Sequence, residues 1–146
     1  MKIHYAFDSL GGANHGWLNA KHHFSFANYY DPNKMSFGEL LVINDDRIAP
    51  NTGFGSHPHD NMEIITFVRK GAISHEDSQG NKGKTTVGNV QVMSAGTGIM
   101  HSEHNHENVE TNIYQIWIKP KSRDIEPKWG SAEFPTESTK DKLKLL

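Results

Sequence analysis

The chain contains no cysteine. That excludes disulfides, thiolate-bound zinc, iron–sulfur clusters and thiol nucleophiles together. Any metal must therefore be held by histidine and carboxylate. Charge of one sign is also lacking, with 15 basic residues against 17 acidic ones, a formal net charge of -2 and no basic run. Nucleic acid is thus not expected as a direct partner. No window approaches the roughly 18 consecutive apolar residues of a membrane span, and the opening MKIHYAFDSL has no apolar core of a secretory signal. No membrane partner is expected, and the expected location is the cytoplasm. Clean helical periodicity is missing too. The reading is an all-β chain, and 146 residues suffice for about one domain.

What is present supports strands. GELLVIND (38–45), MEIITFVRKG (62–71), AISHED (72–77), TTVGNVQVMSAG (85–96) and NIYQIWIKP (112–120) are rich in β-branched and aromatic residues. DSQGNKGK (77–84) reads as a hairpin turn from its Gly and Asn content. HHFSFANYYDP (22–32) reads as an irregular arm lying over the strands, and after Pro120 the chain turns polar and Pro-containing, with only KLKLL at its end apolar. Many short strands with Gly-rich turns suggest a sandwich or a closed jelly roll.

Ten histidines supply candidate ligands, because neutral imidazole is the commonest metal ligand near neutral pH. A His-x-His pair alone is weak, since composition predicts about 0.7 of them; the chain has two, at 57/59 and 104/106. The joint pattern carries more. His57-Pro58-His59 leads into an expected strand, where side chains two apart share a face. His101-Ser102-Glu103 repeats that spacing after the turn Ala95-Gly96-Thr97-Gly98. Two such strands facing each other across a barrel mouth would offer three nitrogens and one oxygen, leaving two octahedral positions open, as in a catalytic site. Glu63 shares the parity of 57 and 59 and is a second candidate carboxylate. His22 and His23, set among aromatics, are expected to pack in the core or arm with a backbone hydrogen bond, and His104 and His106 to lie in a solvated loop. Phe24, Phe26, Tyr29, Met93 and Trp117 are expected in the core, with some aromatics lining a pocket for a flat aromatic substrate.

HPHDNMEIITFVRKG (57–71) and GNVQVMSAGTGIMH (88–101) resemble the two motifs of the cupin superfamily. More narrowly, INDDRIAPNTGFGSHPHDNMEIITFV (43–68), HEDSQGN (75–81), QVMSAGTGIMHSEHN (91–105) and YQIWI (114–118) resemble the pirin family, including its bacterial quercetinase members. The resemblance implies a cupin double-stranded β-helix, a jelly-roll barrel. Residues 1–120 would form a single barrel with an N-terminal arm at 1–36, and 121–146 a tail or the remnant of a linker. Pirins are similar to two stacked barrels, so KLKLL (142–146) reads as the stump of a linker strand. Surface left bare by a missing second barrel would favour a homodimer.

Carried over residue by residue, the family's metal ligands fall on His57, His59, His101 and Glu103. Glu63 is then left as a carboxylate behind the ligands or facing the substrate, and Glu103 or Glu63 as the catalytic base. The resemblance implies Fe(II), although this ligand set also accepts Cu, Ni, Co, Mn or Zn. It further implies a dioxygenase, an oxidoreductase acting on a quercetin-like flavonol with dioxygen. The alternatives are an iron-binding redox sensor that co-regulates transcription, and a metal-binding storage protein.

Overall fold

The structure, a computed structural model, describes residues 3–135, 137 and 140. A single 3-10 turn at Phe7–Ser9 and eleven strands make up its regular structure: β1 Gly11–Asn14, β2 Leu18–His22, β3 Leu40–Ile48, β4 Thr52–His59, β5 Glu63–Lys70, β6 Ala72–Asp77, β7 Lys82–Thr86, β8 Asn89–Ser94, β9 Ile99–Asn105, β10 Thr111–Ile118 and β11 Lys128–Glu133, counted among the described residues. All pairings are antiparallel. One sheet runs β1-β2-β3-β10-β5-β8-β11 and the other β4-β9-β6-β7. Among the described residues no α-helix occurs and no helix is long and apolar enough to cross a membrane.

Alternation decides which side chains enter the space between the sheets. On β10, Ile113, Gln115 and Trp117 point inward; on β3, Val42, Asn44, Asp46 and Ile48 do so. One end is closed by an apolar cluster of Leu18, Ala20, Ile48, Val68, Ile73 and Ile113, with Trp17 and Phe54 packed against it. The other end holds Ile64, Met93, Ala95 and Ile99 with Met62, Trp117 and Trp129. Between them the interior is polar, with Asn44, Asp46, Thr66, Gln91, Glu103 and Gln115 all buried.

Several expectations are corrected. The segment 1–36 is not merely an arm, because β1 and β2 form a hairpin that adds to the edge of β3. The expected strand 85–96 is two strands, broken by a turn with Gly88 at φ 81°. The strand expected to stop at 45 runs on to Ile48: Asp45 is taken up by an ion pair with Arg69 on the outer face, and Asp46 points inside. Past Pro120, Lys128–Glu133 pairs with β8 in register Trp129↔Met93 and so completes the larger sheet. KLKLL (142–146) lies outside the described residues.

Candidate metal centre and cavity

His57 and His59 do not open a strand; they close β4, and β4 pairs directly with β9 so that His57 stands opposite His101 and His59 opposite Ile99. The two motifs are therefore neighbours in one sheet and not strands facing across a mouth. Direct cross-strand pairing is what brings the three rings together. Their centroids lie 4.4 Å (57/101), 4.9 Å (57/59) and 5.0 Å (59/101) apart, and one nitrogen from each falls within 4.8 Å of the other two.

The hydrogen bonds behind the rings assign which nitrogen is free. His57 Nδ1 donates to the Gly55 carbonyl at 2.7 Å, leaving Nε2 as a lone pair. His75 Nε2 donates to Asp77 Oδ2 at 2.9 Å, so its Nδ1 can accept from His101 Nδ1 at 3.5 Å. This Asp77–His75–His101 relay leaves His101 Nε2 free. Both His101 Nε2 and His59 Nε2 are buried without a hydrogen-bond partner among the described residues. Orphaned buried nitrogens carry a desolvation cost that a bound cation would remove.

Electrostatics agree. Burial first, then the neighbouring imidazoles His57, His59 and His75, push His101 down to about 3, against the pull of Asp77. Burial and His57 push His59 down to about 4. Both rings therefore stay neutral, the form that ligates metal. On Asp77 burial acts upward, but hydrogen bonds from His75, Asn81 and Gln79 outweigh it and hold the carboxylate below its ordinary range. That keeps an anion at the end of the relay.

Glu103 shares the inward face of β9 with His101 and is 2% exposed. Its Oε1 accepts from Thr66 Oγ1 (2.9 Å) and Gln91 Nε2 (2.6 Å), and its Oε2 from Gln115 Nε2 (2.5 Å). With two lone pairs on each oxygen, Oε1 is saturated and Oε2 keeps one. Burial raises its pKa, opposed by Thr66, His75, Gln115 and His57. Donors from three strands of the opposite sheet thus hold this carboxylate in place. Among the described residues the group whose ligand atoms lie within 4.8 Å of one another is the three imidazoles, without Glu103, and such a nitrogen set suits a borderline divalent transition metal.

Glu63 is placed elsewhere. It lies at the start of β5, does not line the cavity, and accepts from Ser94 Oγ at 2.6 Å. Residues 60–62 leave the strand conformation, with Asn61 at φ 43°, and this break cancels the parity that linked 63 to 57 and 59. His22 is buried as expected, but its hydrogen bond goes to the Asn44 side chain (2.8 Å), not to backbone. His104 lies at the end of β9, its ring stacked on His106.

The three imidazoles and Glu103 line a cavity of about 440 Å3 whose walls include Trp17, Phe26, Phe54 and Trp117. Phe26 and Trp117 meet edge to face at 5.3 Å, as do Trp17 and Phe54 at 5.1 Å. The size and the apolar walls suit a drug-sized flat ligand. Asp46, Asn44 and Gln115 add polar groups on the larger sheet. The sequence reading missed Asp46, and also His75 and Asp77. The His-x-Asp spacing in AISHED places the last two on one face and was the available signal.

The Pirin family model matches residues 5–118. A pirin-like protein of Caulobacter vibrioides is 67% identical over 129 residues, 88% of this chain and 56% of that protein. A quercetin 2,3-dioxygenase of Escherichia coli K12 is 54% identical over 125 residues, 85% of this chain and 54% of that protein. The crystal structure of the bacterial pirin YhhW from Escherichia coli in complex with nickel(II) superposes with a TM-score of 0.86 at 47% identity, covering 95% of this chain and 65% of that one. At 11% identity and a TM-score of 0.58, the cupin domain of Schizosaccharomyces pombe Cnp3 shows the fold alone, a cupin jelly roll. The chain spans about half the length of these curated relatives.

Proposed function

The chain belongs to the pirin family, and on that premise we propose that its cavity is the reaction chamber of a metal-dependent dioxygenase that takes a flavonol such as quercetin. The observation that carries the reading is the convergence of three imidazoles with free Nε2 positions on the wall of an aromatic-lined cavity, beside a buried carboxylate. His57, His59, His101 and Glu103 would hold the metal, with Fe(II) as the proposed ion and Ni, Cu, Co, Mn or Zn as ions the same donors accept. The nickel named in the complex of the related YhhW supports a divalent transition metal here.

A bound divalent metal supplies Lewis acidity that lowers the pKa of a flavonol's enolic hydroxyl. The chain's own groups do the rest. Trp17, Phe26, Phe54 and Trp117 sandwich and orient the flat rings and exclude water. Glu103 accepts the hydroxyl proton at the lone pair that Oε2 keeps. If Glu103 also held the metal, it would use that same remaining lone pair of Oε2. Gln91, Gln115 and Thr66 keep Glu103 aimed during the exchange. The electron-rich ring then reacts with dioxygen.

The test is anaerobic purification with metal analysis, followed by quercetin under air with absorbance and oxygen uptake recorded together. Stoichiometric oxygen consumption that disappears in Glu103→Ala is expected. Stoichiometric metal with no turnover would overturn the dioxygenase reading, and undiminished metal in His57→Ala or His101→Ala would overturn the ligand assignment.

A further inference from the structure

A second polar group faces the same cavity from the other sheet. Asp46 is 3% exposed, lines the cavity, and its Oδ1 is buried with no hydrogen-bond partner among the described residues. The ladder fixes its place: it stands opposite Ile113 on one side and Ala20 on the other, in the middle of the larger sheet. Two residues earlier on the same face, Asn44 also lines the cavity. Its Oδ1 is taken by His22 Nδ1 at 2.8 Å, which leaves the Nδ2 amide hydrogens for a ligand. His22 is itself fixed by packing against Phe26 at 5.2 Å. An acceptor and a donor side by side match a hydroxyl, which donates one hydrogen bond and accepts others.

We propose that Asp46 and Asn44 form a hydroxyl-binding subsite, which selects ligands bearing a second hydroxyl beyond the one directed to the three imidazoles. The triad stands on the smaller sheet and Asp46 on the larger, so the two groups face a ligand from opposite walls of the cavity. A rigid aromatic ligand with hydroxyls on separate rings can present one to each wall. Leaving a buried carboxyl oxygen unpaired is costly, and among the described residues Asp46 Oδ1 has no partner. Burial, Glu103 and Asp45 push its pKa up to about 7 in the metal-free chain. The subsite rests on the flavonol reading for its choice of probes, but its own logic requires only a polyhydroxylated aromatic.

The experiment measures binding without turnover. The Zn(II)-loaded protein is titrated anaerobically with quercetin and with 3-hydroxyflavone, in wild type and in Asp46→Asn. Quercetin is expected to bind wild type tenfold or more tightly than 3-hydroxyflavone, the scale of a hydrogen bond to a charged group. Asp46→Asn is expected to remove that preference and leave 3-hydroxyflavone unchanged, which also reports that the variant is folded. Methylating every quercetin hydroxyl except that at position 3 should abolish the preference in wild type, independently of any variant. A preference that survives Asp46→Asn, or an equal loss for both ligands, overturns the inference. The two readings fail separately: discrimination without oxygen uptake leaves the subsite standing without the dioxygenase, turnover without discrimination does the reverse, and no binding of either flavonol removes both.

Discussion

Asp46 should make the metal-free protein lose stability as pH rises. Its carboxyl moves from an ordinary 3.8 to about 7, through burial first and then the charges of Glu103 and Asp45. In the unfolded chain the group ionises near 3.8, whereas in the folded chain it keeps its proton to about 7. Between those values the native state binds more protons, so unfolding becomes easier as pH increases. At about 1.4 kcal/mol for each pH unit, the full effect is about 4 kcal/mol. Asp46→Asn removes this titration. An amide in that position carries its own unsatisfied donors, at about 1 to 3 kcal/mol, but that offset is the same at every pH. The difference between variant and wild type should therefore swing in the variant's favour by about 4 kcal/mol from pH 4 to pH 8. With a urea m-value of about 2 kcal/mol/M, the variant's midpoint gains roughly 2 M relative to wild type across that range. Titration of His59 and His101 cancels in the comparison, because both proteins contain them. The metal-free form is required, since a nearby cation would favour the charged carboxylate. Parallel stability profiles would show that Asp46 ionises as it does in water, and would refute the account of its burial.

Three other perturbations probe the frame around the site. Gly53 faces β9 so closely that an added Cβ would collide with the Glu103 carbonyl and lie 2.5 Å from His104 Cα; Gly53→Ala should displace β4, separate His57 from His101 and weaken metal binding at least tenfold by titration, with little loss of strand signal in circular dichroism. Ile113 is fully buried among Ile48, Val68 and Ile73; Ile113→Ala should cost about 2 to 5 kcal/mol in chemical denaturation. Because His101 and His59 are pushed down to about 3 and about 4, their neutral forms persist in acid; metal retention followed by equilibrium dialysis should hold as pH falls through 6, and a release centred at the ordinary imidazole pKa would contradict those environments.

The residues themselves determined the chemistry. Without cysteine any metal ligands had to be imidazole or carboxylate, and the spacing of two in His57-Pro58-His59 and His101-Ser102-Glu103 put each pair on one face of an extended chain. Alternation in NIYQIWI likewise assigned Ile113, Gln115 and Trp117 to one side, and the interior receives them. These are local patterns, readable because strand geometry repeats every two residues. Pairing between distant strands is not local. Only the fold set β4 beside β9 and so closed three rings into one site. One irregular turn at 60–62 was enough to carry Glu63 away from it, because parity survives only while the strand is unbroken. Asp46, in a charged triplet that reads as the end of a strand, became a buried wall of the cavity when β2 and β10 flanked it, and Asp77 reached His101 through His75 for the same reason. Sequence spacing determines what shares a face, while burial and partnership, which set the pKa values and leave polar atoms unsatisfied, come from elements far apart in the chain.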